Sequence, residues 1–78
     1  MARFEIFTGP GCTHCEAAKR LLQAHGLDYE DRDVSDPEVM AELQARLPRA
    51  RALPQIFEDG AHLGNDQDLR EHLGPAPG

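Results

Sequence analysis

The sequence predicts an α/β domain in which a four-stranded mixed sheet is flanked by three helices, in the order β-α-β-α-β-β-α. Its 78 residues suffice for one small domain, since a chain of this length buries only about 60 to 65% of the surface that its unfolded form exposes. Apolar residues alternate between strand-like and helix-like spacing along the chain. A strand, helix and strand in succession require a parallel pair, whereas an Asp-Gly turn at 59–60 joins two antiparallel strands.

The first half of the chain contains the parallel unit. Aromatic and β-branched residues over 3–7 predict the first strand, which a Gly-Pro-Gly run then ends. From Thr13 to His25 apolar residues recur every three or four positions, which predicts a helix, and Gly26 supplies its C-cap. Residues 27–34 predict the second strand, although their acidic side chains are poor strand formers.

A second helix follows this strand. The run Ser-Asp-Pro-Glu predicts a capping box from Ser35 to Glu38, with Pro37 in the first turn. An apolar stripe continues the pattern to Leu47. The helix should stop before Pro48, because the residue before a proline disfavours helical geometry.

The last third predicts a hairpin over 55–64 and a final helix. Asn65 or Asp66 provides the N-cap of this helix, and Gly74 ends it. We therefore predict one domain over 1–74 and a flexible tail over 75–78.

The charge balance argues against several classes of partner. The formal net charge is −6 at pH 7, whereas nucleic-acid binding needs clustered lysines and arginines. No apolar run approaches the roughly 20 residues that a membrane span needs. Residues 1–9 lack the continuous apolar core and cleavage site of a signal peptide and predict a strand. We expect a cytoplasmic protein that binds neither nucleic acid nor membrane.

One basic stretch interrupts the acidic composition. Residues 46–51 contain Arg46, Arg49 and Arg51 and no acid. One interpretation is a solvated helix end whose arginines complement the negative end of the helix dipole. The other is a local anion-binding site, and both stay open at this point.

Cys12 and Cys15 stand three residues apart where the first strand gives way to the first helix. Three interpretations compete: a structural disulfide, half of a zinc site, or a redox-active pair. In a reducing compartment a lone cysteine pair is more often catalytic or metal-binding than structural. A C-x-x-C pair at a strand-to-helix turn is the context that indicates redox chemistry.

The helix start gives the two thiols different roles. Unpaired N–H groups and the helix dipole favour a thiolate at Cys12. Cys15, one turn later, should be more buried and less ionised. We expect Cys12 to attack an external disulfide and Cys15 to resolve the resulting mixed disulfide.

The histidines give little support to a metal site. Zinc needs three or four ligands in tetrahedral reach, and the two cysteines and four histidines include no second closely spaced ligand pair. We expect no metal. His25 and His72 are explained as helix-end surface residues. His14 is either an exposed side chain or a neutral imidazole that relays protons during exchange, because the positive end of the helix disfavours its cationic form.

Three sequence features occur together at separations typical of one family. They are FEIFTGPGCTHC at 4–15, RALPQIF at 51–57 and HLGNDQDL at 62–69. Over nearly its whole length the chain resembles the glutaredoxins, and most closely the small bacterial dithiol ones. The resemblance implies a thioredoxin-like fold, glutathione as the reducing co-substrate, and reduction of protein disulfides and glutathione mixed disulfides.

The resemblance also implies a site around the proline loop. Pro54 would follow a cis peptide bond and face the cysteine pair. The backbone of Leu53 would pair with the cysteinyl unit of glutathione like an added strand. Arg51 would hold the glycyl carboxylate through a charge-assisted contact.

Further glutathione contacts are implied at Thr13 and at the start of the last helix. There the N–H groups of Asn65, Asp66 and Gln67 would meet the γ-glutamyl carboxylate. An acidic side chain would take the γ-glutamyl ammonium. The implied partners are glutathione and disulfide-containing or glutathionylated proteins, with ribonucleotide reductase as one candidate, and we expect a monomer.

The chain departs from the family pattern at five positions. Thr13 and His14 stand where the family usually has proline and tyrosine, and Gly9 stands where it has a lysine. Asn65 and Gln67 replace a glycine and an acid. These departures concern residues that contact glutathione or flank the cysteines.

Two alternatives to the glutathione route therefore stay open. The first is a glutaredoxin-like redoxin that thioredoxin reductase reduces and that donates electrons to ribonucleotide reductase. The second is a dimer that binds a 2Fe-2S cluster through Cys12 and two glutathiones. Thr13 removes an obstacle to this second alternative, because it restores a backbone N–H that the motif proline would lack and loosens the first turn.

Overall fold

The structure is a computed structural model that describes residues 3–75 and 77. Its elements are β1 (Phe4–Thr8), α1 (Thr13–Ala24), β2 (Tyr29–Asp33), α2 (Pro37–Arg46), β3 (Gln55–Glu58), β4 (Ala61–Gly64) and α3 (Asp66–Leu73). This order confirms the predicted α/β fold class. Two residues of the predicted tail, 76 and 78, lie outside the described residues.

β1 lies inside the sheet, whose strand order is β2-β1-β3-β4. It runs parallel to β2 and antiparallel to β3, and β3 and β4 form the predicted hairpin. All five residues of β1 are buried. Both faces of this strand are therefore covered, which is unusual for a strand that contains a glutamate.

Alternation along β1 divides the interior into two layers. Phe4 and Ile6 belong to the first layer. The other buried members of that layer come from α1, β3 and α3: Ala18, Leu22, Ile56 and Leu69. Phe7 belongs to the second layer, where it packs with Leu43 of α2 and Phe57 of β3. The second layer is smaller, so α2 has less apolar surface to hold it than α1 has.

Glu5, on the α2 face of β1, is only 7% exposed. Arg32 of β2 contacts its carboxylate at 3.3 Å, and Arg46 of α2 contacts it at 3.1 Å. Glu42 of α2 forms ion pairs with both arginines. Both guanidinium groups lie over the Phe7 ring, 5.4 and 5.6 Å from its centroid. An unpaired buried carboxylate would be strongly destabilising, so this ion cluster both satisfies Glu5 and attaches α2 to the sheet.

The start of α2 corrects one prediction. The expected capping box from Ser35 to Glu38 is wrong, because Asp36 is the N-cap and its carboxylate accepts the Glu38 N–H at 2.9 Å. Ser35 is held instead by Asp33, whose carboxylate accepts both its N–H and its hydroxyl at 2.8 Å. Pro37 is the first residue of the helix, where its missing N–H loses no intrahelical hydrogen bond.

The other helix ends agree closely with the sequence pattern. α1 ends at Ala24 and its C-cap is His25, one residue before the predicted Gly26, which follows at a φ of +69°. Asn65, one of the two predicted candidates, is the N-cap of α3, and Gly74 is its C-cap. Within the part of the chain that the structure describes, no helix has the length and apolar character needed to span a membrane.

Glu42→Gln should make the stability of the protein less dependent on pH. The hydrogen bond from Arg32 lowers the pKa of Glu42 below its ordinary value of 4.5. Ionised Glu42 therefore stabilises the fold above that value, and this contribution is lost as the pH falls through the lowered pKa. By urea denaturation we expect the variant to lose about 0.5 to 1 kcal/mol of unfolding free energy at neutral pH.

The difference between variant and parent should shrink as the pH falls below 4.5. Glu71→Gln, at an exposed position of α3, is the matched control and should change little at any pH. A loss in Glu42→Gln that is the same at neutral and acidic pH would contradict the assigned ion pair.

Candidate active site

The two cysteines lie at the start of α1. Cys12 is the N-cap residue with an extended backbone (φ −95°, ψ 103°), and Cys15 lies in the first helical turn. Their Cα atoms are 5.2 Å apart, and a disulfide joins them. Cys15 is 1% exposed, whereas Cys12 is partly exposed. These positions agree with the predicted helix start and with the deeper burial of Cys15.

The helix start favours negative charge on the sulfur of Cys12. Its Sγ accepts a hydrogen bond from the Cys15 N–H at 3.2 Å. The first N–H groups of a helix have no intrahelical acceptor, and the dipole adds positive potential at the same end. In the reduced state this surrounding stabilises the thiolate, which is the nucleophilic form of cysteine.

The loop before β3 lies against the loop before α1. The Leu53–Pro54 peptide bond is cis, as the resemblance implies, and Pro54 is fully buried. A Cβ atom added to Gly9 would lie 2.9 Å from Cδ1 of Leu53, closer than real Cβ contacts come. Gly9 therefore lets Leu53 pack directly against the segment that leads to Cys12.

A groove of about 270 Å³ runs between the cysteine motif and the start of α3. Its lining consists of His14, Ala52, Leu53, Asn65, Asp66, Gln67 and Arg70. Four of the six predicted glutathione-binding residues thus line one groove, which we call the α3 groove. Arg70 was not predicted as a site residue, although its i,i+4 spacing from Asp66 was a signal for a side-chain pair.

The two remaining predicted contacts line neighbouring hollows. Thr13 lines a hollow of about 280 Å³ that also includes Cys12. Arg51 lines a groove of about 230 Å³ between α2 and the proline loop. Leu53 borders both this groove and the α3 groove, so the two grooves meet at the proline loop.

The three arginines of residues 46–51 do not act together. Arg46 forms the ion pair with buried Glu5. Arg49 lines another groove, which it shares with Arg46, and Arg51 lies beside the proline loop. Neither predicted interpretation therefore describes the whole stretch, and Arg51 is the member of the three that lies beside the proline loop.

His14 contacts Asp66 across the α3 groove. The distance from His14 Nδ1 to Asp66 Oδ2 is 3.0 Å, and the two side chains are 72% and 9% exposed. Arg70 approaches the same carboxylate oxygen at 3.4 Å. We call these three residues the Asp66 cluster. The sequence places His14 beside the thiols but does not show this contact, because 52 positions separate the two residues.

A capping box closes the start of α3. The Asn65 N–H donates to Asp68 Oδ2 at 2.9 Å, and the Asp68 N–H donates to Asn65 Oδ1 at 3.0 Å. A Cβ atom on Gly64 would overlap the Asp68 carboxylate, and the φ of +130° at Gly64 favours glycine. Of the three predicted N–H donors, that of Asn65 already has an acceptor. Those of Asp66 and Gln67 lie in the first turn, where helical N–H groups lack intrahelical partners.

The remaining histidines take structural positions. His72 contacts Glu58 at 2.9 Å, and His62 contacts Gln55 at 2.8 Å. His25, expected on the surface, is half-buried, and its Nε2 has no hydrogen-bond partner among the described residues. Within 3–75 and 77, no three histidine, cysteine, aspartate or glutamate side chains gather closely enough to hold a metal ion.

Comparison with known proteins gives this site a family context. The family model for glutaredoxins matches residues 4–63, which include both cysteines and the proline loop. The chain belongs to the glutaredoxin family. Glutaredoxins are thiol-disulfide oxidoreductases, and the family uses glutathione as a substrate. The Cys12–Cys15 disulfide is therefore a redox pair and not an isolated structural crosslink.

Individual relatives cover most of the chain. A glutaredoxin of Neisseria meningitidis serogroup A is 42% identical over 71 residues, which are 88% of this chain and 82% of that protein. The solution structure of glutaredoxin from Brucella melitensis is 39% identical with a TM-score of 0.73, covering 95% of this chain and 83% of that one. The NrdH-redoxin of Escherichia coli, described as glutaredoxin-like with a thioredoxin-like activity profile, is 30% identical with a TM-score of 0.75. The match covers 96% of this chain and 99% of that one.

Gly64→Ala should destabilise the protein more than an ordinary glycine replacement does. The new Cβ would displace the Asp68 carboxylate from the capping box and would sit on a backbone conformation that favours glycine. We expect a loss of about 2 to 3 kcal/mol in the free energy of unfolding, measured by urea denaturation.

Gly26→Ala is the matched control, because its φ is +69° and no atom lies within 4 Å of the new Cβ. It should lose only about 1 kcal/mol, the cost of left-handed backbone strain alone. Equal losses in both variants would show that the capping box contributes nothing.

Proposed function

We propose that this enzyme reduces protein disulfides and glutathione mixed disulfides with glutathione as its electron donor. The observation that carries the proposal is the position of Cys12. Cys12 is a partly exposed residue that caps the start of α1, and it lines a hollow with Thr13, whose chain neighbour His14 lines the α3 groove. Cys15 is buried one turn behind it. A nucleophilic sulfur, a protected second sulfur and an adjoining groove for a small thiol are the parts that this reaction needs.

A glutathionylated substrate needs Cys12 alone: its thiolate takes over the glutathione sulfur, the substrate thiol leaves, and a second glutathione frees Cys12 and departs as glutathione disulfide. Reduction of a protein disulfide proceeds by two exchange steps. The thiolate of Cys12 attacks one sulfur of a substrate disulfide, a new S–S bond forms, and the other substrate sulfur leaves as a thiolate that takes a proton. The thiolate of Cys15 then attacks the Cys12 sulfur, which releases the second substrate thiol and leaves the Cys12–Cys15 disulfide. Two glutathiones reduce this disulfide by the same chemistry and leave as glutathione disulfide, so electrons balance.

The glutathione would lie across the proline loop. The backbone of Leu53, next to Pro54, would pair with its cysteinyl unit as an added strand does. Arg51 would hold the glycyl carboxylate, and Thr13 would contact the thiol end. At the other end, the γ-glutamyl carboxylate would meet the first-turn N–H groups of α3.

At the γ-glutamyl end of glutathione, we assign the carboxylate contact to the N–H groups of Asp66 and Gln67. The Asn65 N–H, also predicted as a donor, is engaged by Asp68 at 2.9 Å. His14 has its Nδ1 on Asp66, which leaves Nε2 as the ring atom that can exchange a proton with a leaving thiol.

The cellular setting follows from the chemistry. A cysteine pair that must be reduced after each turnover needs a reducing compartment, so we place the protein in the cytoplasm. Its substrates would be disulfide-containing or glutathionylated proteins, with ribonucleotide reductase as one candidate, and it would act as a monomer of one domain over residues 1–74.

A second candidate function is that of a redoxin reduced by thioredoxin reductase. Similarity to the NrdH-redoxin of Escherichia coli over nearly the whole of both chains supports it. So does the capping box of α3, because the Asn65 N–H and the Asp68 carboxylate, which a glutathione could contact, already bind each other. NADPH consumption through glutathione reductase with glutathione, or through thioredoxin reductase, distinguishes the two donors.

Cys12→Ser should abolish reduction of both a glutathionylated peptide and a protein disulfide, because it removes the attacking sulfur. Cys15→Ser should keep reduction of the glutathionylated peptide, which needs one thiol, and should lose reduction of the protein disulfide, which needs two. Both activities are followed as NADPH consumption coupled through glutathione reductase. Equal loss of both activities in Cys15→Ser would refute the assigned roles.

Arg51→Ala should raise the KM for glutathione about three- to sixfold, which corresponds to roughly 1 kcal/mol for one exposed charged contact. The kcat at saturating glutathione should change less than the KM. Arg49→Ala, which removes an exposed arginine outside the groove of Arg51, is the control and should leave the KM unchanged. An unchanged KM in Arg51→Ala would remove Arg51 from the binding site.

A further inference from the structure

The α3 groove contains one acid and two basic side chains that already bind one another. The Asp66 carboxylate is 9% exposed and receives His14 Nδ1 at 3.0 Å and Arg70 at 3.4 Å on the same oxygen. Arg70 is 52% exposed, so its guanidinium faces both Asp66 and solvent. The negative charge of this groove is therefore compensated within the protein before any substrate enters.

This compensation affects the two ends of a zwitterionic ligand differently. A ligand ammonium would have to compete with His14 for Asp66 and would approach the positive charge of Arg70, which opposes its binding. A ligand carboxylate would meet the first-turn N–H groups of Asp66 and Gln67 and the same arginine, all of which favour it. Paired with Arg70, Asp66 no longer repels that carboxylate as a free acid would.

We propose that the Asp66 cluster acts as an internal latch, in which His14 and Arg70 hold the Asp66 carboxylate. The α3 groove then accepts carboxylate-bearing thiols, and an α-ammonium group on the thiol adds nothing to their affinity. His14 and Arg70 are then specificity-determining residues, because they withdraw the acceptor that an ammonium would use. The inference rests on the proposed function, since it concerns the thiol that enters the same groove. It goes further in naming the substrate class: the groove should bind glutathione and its amino-free analogue equally well.

The test is a competition between two thiols for Cys12 in a Cys15→Ser background. One thiol is glutathione, and the other is glutaryl-cysteinyl-glycine, the same tripeptide with hydrogen in place of the α-amino group. The protein is mixed with the disulfide formed between the two thiols. The Cys12 thiolate attacks either sulfur and releases the other thiol, with no net oxidation. The equilibrium ratio of the two protein adducts is measured by mass spectrometry against the same protein unfolded in urea.

The folded Cys15→Ser protein should give an adduct ratio within about twofold of the unfolded reference, because the latch already occupies the Asp66 carboxylate. Adding His14→Ala should shift the ratio about three- to tenfold towards glutathione, the range of one partly exposed charge-assisted contact. Adding Asp66→Asn to His14→Ala should abolish that shift. Arg70→Gln, which loosens the latch from the other side, should shift the ratio in the same direction as His14→Ala.

His72→Ala is the control, because His72 lies on α3 outside the groove and contacts Glu58; its adduct ratio should equal that of the parent. A strong preference for glutathione in the parent protein would overturn the latch. So would an unchanged ratio in both His14→Ala and Arg70→Gln, or a shift that survives Asp66→Asn.

The adduct ratio tests the latch, and turnover with glutathione tests the proposed function, so either can fail without the other. Mixed-disulfide exchange at Cys12 occurs whichever reductase supplies electrons in the cell. If turnover with glutathione fails while the adduct ratio shifts as expected, the proposed electron donor is wrong and the latch stands. If turnover succeeds and the ratio does not shift, the electron donor stands and the latch is wrong.

Discussion

The structure depends on covering β1 from both sides. One face is apolar, and α1 and α3 cover it. The other face carries the buried charge of Glu5 beside the ring of Phe7, so the side chains that cover it must be cationic and able to pack on an aromatic ring. Arginine meets both needs, since its guanidinium pairs with carboxylates and stacks on aromatic faces. Arg46, one of the two arginines that pair with Glu5, is the last residue of α2. The segment that leads to Pro54 therefore leaves from a point fixed on the sheet, opposite the helix that begins at Cys12.

The polar groups around the cysteines are satisfied mainly within the protein. The Cys12 sulfur accepts a backbone N–H, the capping box uses one donor and one carboxylate of α3, and the Asp66 cluster compensates a second carboxylate. What stays open to a ligand is a set of N–H donors together with the exposed guanidinium groups of Arg51 and Arg70. A site of this composition attracts carboxylates, which explains how an acidic protein with a charge of −6 can present a surface suited to an anionic thiol.

Local patterns predicted the elements well, and long-range contacts account for what they missed. The order of strands and helices, the helix start at Cys12 and the turn at 59–60 follow from spacing, glycine and proline. The N-cap of α2 was misplaced by one residue because the side chain of Asp33, at the end of the preceding strand, binds Ser35. The burial of Glu5 under α2 was not predicted. Alternation in a strand suggests a solvent-facing glutamate and cannot show that a helix packs over it.

The reactivity of the nucleophile and the choice of electron donor depend on different parts of the molecule. The reactivity of Cys12 depends on the first turn of α1, which is the same whether a tripeptide or a reductase approaches. Under the proposed function, the choice between these donors depends on the α3 groove and the proline loop, and Leu53 of that loop also borders a hollow on the α2 side. Under the same proposal, substitutions in the groove alter recognition of the donor and leave the sulfur chemistry unchanged. The departures from the family pattern at Asn65 and Gln67 lie in this groove and not at Cys12, so they affect recognition of the donor before they affect exchange.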